Sequence, residues 1–490
     1  MAMTDRGVTR PAMKQPERGK EMKEPMSPEH RREMLRMHHE KTLWVYWTVV
    51  LLGVWMMAAP LSFDYATAVT SPAGGRELWL DLAGRANALA LSDFAAGFLL
   101  LLFGWRSLTP DRPVSLWGAC FVGTWLNFAP LLFWAPNPLV YLNDTLVGTL
   151  VIALTILIPG MPNMVKYMQM GSSTPPGWSY NPSSWPQRWI MIALGLVGWL
   201  VSRYLAAFQL GYLPEVADPF FGEGSRRVLT SDMSRALPVS DAGLGALAYT
   251  LEFLMGWMGS EARWRTMPWM VTLFGILVIP LGLVHIFLVA SQPVAVGEWC
   301  TYCLLAAAIM LPMIPLEVDE VIAMCQFMAA KKRQGASLWK VFWLGGGMEG
   351  EEEGQRRPPV HEFPSRKKEM AAAMFWGMTF PWTLAAATAV GVWLMAAPGV
   401  LAQVKASADL SHIAGALVVT VSVIAMGEPL RALRYLNLAV AAALVAGSFL
   451  AGSGPLTAGA NIVSALLLTA FSLPRGEVRE SFGSWDRFVR

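Results

Sequence analysis

The chain predicts an all-α integral membrane protein with about twelve transmembrane helices arranged as three four-helix units. Three observations predict it. Of 490 residues, 54% are hydrophobic and only 15% charged, whereas soluble domains carry about 25% charged residues. Apolar runs of about 20 residues recur along most of the length, enough to cross a hydrocarbon core. In lipid the backbone must satisfy its own polar groups, so long unbroken runs mean helices rather than a β-barrel. The third observation is a repeat. The pattern G-x-W-[LM]-x-x-A-P occurs as GVWMMAAP at 53–60, GTWLNFAP at 123–130 and GVWLMAAP at 391–398, with a decayed copy GSFLAGSGP at 447–455.

Residues 1–42 are polar and rich in Met and charge, with no short apolar core of a cleavable signal peptide. They predict a disordered tail with a surface helix near SPEHRREMLRMHHEK; acids mixed through it argue against nucleic acid as a partner. Residues 43–160 form the first unit, with spans near 43–60, 88–105, 115–135 and 143–159. A linker at 161–187 leads to the second unit, 188–333, with spans near 188–208, 243–260, 270–291 and 300–317. Its end, LEVDEVIAMCQFMAAKKRQ, is amphipathic and predicts a helix lying along the membrane face. Residues 334–370, with GGGMEGEEEG, read as a second linker. The third unit, 371–475, has spans near 372–397, 410–427, 434–451 and 457–473, and 476–490 is a tail.

In the outer units each repeat is followed by a polar helix start and a Gly: SDFAAG at 92–97, NDTLVG at 143–148 and LSHIAG at 410–415. The Gly permits close helix approach, the Trp anchors at an interface and the Pro ends the helix. Asp93 and Asp144 read as helix caps before they read as an ion or proton path.

Net charge is only +3, so the distribution of Lys and Arg sets the orientation. With the basic N-terminal tail inside, Arg106, Arg112, Lys166, Arg188, Arg263, Arg265, Lys331, Lys332, Arg333, Arg431 and Arg434 fall on the same side. An even span count returns the C-terminus to the cytoplasm. The eighth span then enters from outside, which puts its first residues on the extracytoplasmic face.

Those residues carry the chemistry. VGEWCTYCLLAAAIMLPM at 296–313 places Cys300 and Cys303 three apart at a helix mouth, on one face, where a disulfide closes with little backbone movement. A helix N-terminus lowers a thiol pKa, which favours Cys300 as the accessible, exchanging sulfur; Cys303 sits about 4.5 Å deeper. Cys325 is expected on the far side of the membrane and Cys120 in the inner half of the third span, so neither can join them, and both read as buried small residues. The pair could instead be incidental or half of a metal site, but nothing suitable completes four ligands, so no metal is expected. His285 and Glu252 are intramembrane ionisable residues, costly and so functional by default; an interhelical hydrogen bond is the bland alternative. Trp299 and Tyr302 beside the thiols read as interface anchors.

Two families are resembled. The repeats at about 43–160 and 372–475 are similar to bacterial SPW-repeat membrane units, without a literal Ser-Pro-Trp tripeptide. Residues 185–330 resemble the vitamin K epoxide reductase family (VKOR-like). They share four core helices, a long outer segment after the first, SRRVLTS ahead of PVSDAGLGALAYTLEFLMG, and CxxC opening the last.

The second resemblance implies a bacterial inner-membrane thiol:quinone oxidoreductase using menaquinone or ubiquinone. In it Cys303 faces the quinone, and Cys300 exchanges with an extracytoplasmic dithiol, commonly a thioredoxin-like protein. It also puts Asp241 where the family has a polar quinone contact; a helix N-cap is the alternative. Family members usually hold a second cysteine pair in the outer segment. Here Ser225 falls at one of those positions and Ala217 near the other. The competing expectation is therefore a non-catalytic membrane scaffold or sensor with a relic CxxC.

Overall fold

The computed structural model describes residues 28–66, 71–110, 112–158, 173–347 and 367–489. The tail before residue 28 and the stretch 348–366 of the second predicted linker lie outside the described residues. Among the described residues there is no strand, only two isolated bridges, Trp178 with Phe482 and Met378 with Gly427.

A polar helix α1 (Pro28–Lys41) forms where the surface helix was expected. The first unit is α2 (Leu43–Ser62), α3 (Leu82–Ser107), α4 (Pro113–Leu132) and α5 (Pro138–Leu157). The second is α6 (Trp185–Gln209), a short cap helix α7 (Gly224–Leu229), α8 (Asp241–Gly256), α9 (Pro268–Val278), α10 (Pro280–Ala295) and α11 (Thr301–Arg333). After a short α12 (Leu338–Leu344), the third unit is α13 (Trp382–Val400), α14 (Lys405–Ile424), α15 (Leu436–Leu450) and α16 (Pro455–Ser472).

Among the described residues eleven helices, with α9 and α10 counted as one broken span, are long and apolar enough to cross a membrane. The chain is a multi-pass helical membrane protein. The twelfth expected span is α8, which has only 16 residues. That is about 24 Å of helix against about 30 Å of hydrocarbon. It ends at Gly256 rather than near residue 260, yet packs tightly along α6. A Cβ at Gly198 would lie 2.4 Å from the Tyr249 ring, so only Gly admits that ring.

The repeats build the outer units in a common way. A Cβ on Gly53 would fall 2.8 Å from the Gly97 carbonyl oxygen. On Gly148 it would fall 2.5 Å from that of Gly123, and on Gly415 2.5 Å from that of Gly391. The Gly of the first motif thus packs on the Gly of the second in each of these pairs (α2 with α3, α4 with α5, α13 with α14). The Pro residues do not stop their helices at once: Pro60, Pro130 and Pro398 lie inside the last turn. The repeat Trp side chains cross between pairs. Trp55 Nε1 donates to Asn143 Oδ1 (2.7 Å) and Trp125 Nε1 donates to Ser92 Oγ (2.9 Å).

Asp93 and Asp144 are not caps. Asp81 caps α3 and Asn137 caps α5. Asp93 and Asp144 lie well inside those helices, fully buried, with Tyr65 donating to Asp93 Oδ2 at 2.5 Å.

The largest departure is α11. The amphipathic stretch after residue 315 does not lie on a surface; it continues the CxxC helix through 33 residues. Its acids Glu317, Asp319 and Glu320 are buried, and the last two are paired. Glu320 holds Arg263 at 2.6 Å, both side chains 2% exposed. Asp319 accepts from Tyr180 (2.7 Å) and Gln187 (3.0 Å). The Asp319 partners come from residues 173–187, expected as linker, where Tyr180, Ser183 and Ser184 are buried. Breaking such a buried ion pair costs about 3–5 kcal/mol. Several arginines used to orient the chain, among them Arg188, Arg263, Arg265, Arg431 and Arg434, are likewise buried. Their positions serve packing as much as topology.

Candidate functional site

The site begins where α11 begins. Cys300 is the extended N-cap residue, with Sγ accepting from the Cys303 N–H at 3.2 Å. The two sulfurs form a disulfide, the Cα atoms 5.2 Å apart. A residue in extended geometry next to the first helical turn brings two side chains three apart onto one side, which is what the spacing requires. Cys120 and Cys325 are free thiols; Cys325 is exposed rather than buried, as the sequence had suggested.

Exposure of the pair runs opposite to expectation. Cys300, read as the accessible sulfur, has no exposed surface, and Cys303 has 9%. The reason is the cap. Residues 210–240 fold over the CxxC end of the helices, and Val216, Val228 and Leu229 pack with Leu205, Phe208 and Val289 around the sulfurs. Gly224 lets the cap touch the backbone just before the pair: a Cβ there would lie 2.2 Å from the Trp299 carbonyl oxygen.

Asp218 fastens the cap. Its Oδ2 accepts from the N–H and hydroxyl of Ser225, and its Oδ1 from the N–H groups of Phe220 (3.1 Å) and Phe221 (2.9 Å). The Thr301 N–H and hydroxyl, on the first residue of α11, donate to the same carboxylate. Burial pushes the Asp218 carboxyl up, but the bonds from Ser225, Thr301, Phe221 and Phe220 outweigh it. They hold the group well below the usual carboxylate range. An Arg227–Glu298 ion pair joins the same two segments. Ser225, at a position where relatives were expected to carry a shuttle cysteine, is therefore a cap fastener, fully buried. Ala217 is exposed, its N–H donating to Tyr204 OH at 3.1 Å.

Asp241 is the first residue of α8, but the cap of that helix is Ser240, whose side chain accepts from Gly243 N–H. The Asp241 carboxylate instead accepts from Gln209 Nε2 (2.5 Å), Ser234 Oγ (3.0 Å) and the Ala242 N–H (2.8 Å). Gln209, at the end of α6, also accepts from Ser240 and so ties α6, the cap and α8 together. Deeper in the bundle, Tyr249 OH donates to the Ala306 carbonyl (3.1 Å), one turn past Cys303, and its ring lies 6.3 Å from that of His285. Glu252, one turn further along α8, is 1% exposed and neither carboxylate oxygen has a hydrogen-bond partner.

Trp299 stacks on Phe221 of the cap (6.0 Å) and meets His412 of the third unit edge-on (4.8 Å). It joins units rather than only anchoring at an interface. Tyr302 packs on Tyr204 at 5.1 Å. Sequence reasoning missed Asp218, Gln209, Tyr249 and His412. Only Asp218, beside Ala217 and seven residues before Ser225, carried a local signal. Among the described residues no group of three or more His, Cys, Asp or Glu could hold a metal ion.

Residues 189–318 match the Vitamin K epoxide reductase family. The match spans α6 to the middle of α11 and contains both cysteines. The match supports a VKOR-like domain in this stretch and, at the family level, a membrane thiol–disulfide oxidoreductase of that type. No curated protein and no solved structure matches the chain significantly.

Proposed function

We propose that the protein is a thiol:quinone oxidoreductase that carries electrons from an extracytoplasmic dithiol, through the Cys300–Cys303 disulfide, to a membrane quinone. The observation that carries this reading is the disulfide itself, at the N-terminus of α11 inside the VKOR-like domain. A partner thiolate, a thioredoxin-like protein being the natural donor, attacks Cys300 Sγ. A mixed disulfide forms and the Cys303 thiolate leaves. The partner's second thiol displaces Cys300, so the partner is oxidised and the CxxC becomes a dithiol. That dithiol returns two electrons and two protons to the co-substrate quinone, menaquinone or ubiquinone, giving quinol and restoring the disulfide.

Cys303, deeper along α11, is the sulfur placed to meet a lipid-soluble acceptor. Asp241, His285 and Glu252 are the proposed quinone-side groups, with Tyr249 between the last two. Glu252 suits a proton-holding role because no other group uses its oxygens. The reading places the protein in a bacterial inner membrane, both termini cytoplasmic and CxxC outside, with SPW-like units as flanking scaffolds.

The scaffold or sensor alternative also has an observation behind it: Cys300 is fully covered and no cysteine lies in the cap. Full-length protein in lipid nanodiscs, given dithiothreitol and decylubiquinone, separates the two. Catalysis predicts quinone-linked thiol oxidation that falls at least a hundredfold in Cys300→Ser and in Cys303→Ser. Wild-type protein with no turnover, or turnover surviving both changes, would overturn it.

A further inference from the structure

Beside the redox helix, but outside its own bundle, lies a cavity of about 710 Å³. Cavities of about 300–1,000 Å³ are the size that hold small organic ligands. One wall is α10 and α11, where Leu304, Ala307 and Leu311 line one stripe of the CxxC helix. The other wall belongs to the third unit, with Met395, His412 and Ala416. The VKOR-like domain alone would leave this cavity without half its lining.

The walls are mostly apolar, with Thr420 donating its hydroxyl to the Ala416 carbonyl, and the polar groups His412 and Asp409 stand at the CxxC end near Trp299. His412 is 3% exposed. Its Nε2 lies 2.7 Å from the Ala290 carbonyl, which can only accept, so Nε2 carries the proton. In the neutral ring Nδ1 is then a bare acceptor on which no hydrogen bond closes, and the other backbone group facing the ring, the Met395 carbonyl, offers no donor. Asp409 is a second acceptor, 3.9 Å from Lys405. The aromatic edge between Trp299 and His412 gives the polar end a flat wall. A buried acceptor left unpaired is destabilising, so the complementary ligand brings a donor. The reduced carrier has ring hydroxyls that donate; the oxidised carrier has carbonyls that only accept.

We infer that this cavity is a quinol site, in which an isoprenoid hydroquinone lays its chain along α11 and donates a ring hydroxyl to His412 Nδ1. The third unit thereby supplies the polar contact of a product site next to the redox pair. The inference rests on the thiol:quinone reading and assigns its reduced product a place distinct from the bundle interior around Tyr249 and His285.

The test uses the full chain carrying Cys300→Ser and Cys303→Ser, so that binding is read without turnover. Anaerobic decylubiquinol and decylubiquinone are titrated into nanodiscs, with melting curves showing that each variant is folded. His412→Phe removes the acceptor, and Ala416→Phe fills the cavity from the third-unit wall. Each is expected to weaken quinol binding about tenfold, while His412→Gln, which keeps an acceptor, retains it within about threefold. Quinone binding changes less than about threefold in His412→Phe. Quinol binding indifferent to both Phe variants overturns the site, as does a co-purifying phospholipid that quinol does not displace. Turnover in otherwise wild-type protein is scored separately. If it is present while quinol binding ignores His412, the inference fails alone. If it is absent while His412-dependent quinol binding persists, the site stands and the oxidoreductase reading fails.

Discussion

The two outer units share a plan and differ at their centres. Both are built from helix pairs in which Gly meets Gly, as at Gly53–Gly97 and Gly391–Gly415. In the first unit the positions four residues before the second Gly hold Asp93 and, in the next pair, Asp144, both fully buried. In the third unit the matching position before Gly415 is Ser411, which donates to Asn461 Oδ1 at 3.3 Å, and Asn461 donates to Ser448 at 2.9 Å. One unit has a carboxylate core, the other a neutral hydrogen-bonded one. They also meet the VKOR-like stretch differently. The first unit braces the cap: Trp134 Nε1 donates to the Pro238 carbonyl at 2.9 Å, and Arg76 donates to the Leu237 carbonyl. The third unit leaves a cavity along α11. A common scaffold has thus been given two different jobs at its two interfaces with the same domain.

The backbone-to-backbone Gly contacts are where the two units should fail alike. Gly148→Val and Gly415→Val each force a side chain into a carbonyl 2.5 Å from the new Cβ, an overpacking worth about 1–3 kcal/mol or more. Both are expected to lower the melting midpoint by several degrees; a change confined to one unit would break the shared plan.

Smaller effects separate the interfaces. Asp218→Ala should raise the rate at which reduced Cys300 is alkylated by about tenfold, because the cap loses the acceptor of six hydrogen bonds at once. Arg76→Ala, at the first-unit brace, should raise it only about twofold. A change in the third unit such as His412→Phe should leave it unaltered.

The pH dependence has a definite sign. The folded Asp218 carboxyl is held below its unfolded value, so its contribution to cap stability is complete above the ordinary carboxylate range. It is lost as pH falls through the lower folded value. Hydrogen exchange over residues 216–230, corrected for intrinsic rates, should therefore be flat from about pH 8 to pH 5 and rise only below about pH 4. A rise near neutrality would mean another group fastens the cap.

Exchanging carboxyl and amide sharpens the contrast of the cores. Asn461→Asp places a carboxylate where Ser411 and Ser448 are its neighbours and should destabilise by about 1–3 kcal/mol. Asp144→Asn, which makes the first unit resemble the third, should be neutral or stabilising in a melting curve. Equal losses from both changes would show that the Asp93–Asp144 arrangement is as finely matched as the neutral one.

Much of the fold was legible because lipid imposes a long apolar run on each helix, and the Gly, Trp and Pro of the repeat are local signals. The CxxC was legible for the same reason: three residues fix it. What escaped depends on partners distant in sequence. Glu317, Asp319 and Glu320 read as the start of a helix lying along the membrane face, yet Arg263, Tyr180 and Gln187 allow Asp319 and Glu320 to be buried. The burial of Cys300 depends on a cap whose fastener, Asp218, reaches Thr301 across 83 residues. His412 could not be tied to the redox pair from sequence because Trp299, which links them, lies in another unit.

A single turnover, read on both reactants, decides whether the sulfur pair does the chemistry assigned to it. Pre-reduced full-length protein in nanodiscs is mixed anaerobically with one equivalent of decylubiquinone, and thiols and quinol are counted together. Re-formation of the Cys300–Cys303 disulfide with one equivalent of quinol is the predicted result. Thiols that stay reduced beside unreacted quinone, or quinol formed equally well by Cys300→Ser protein, would contradict it.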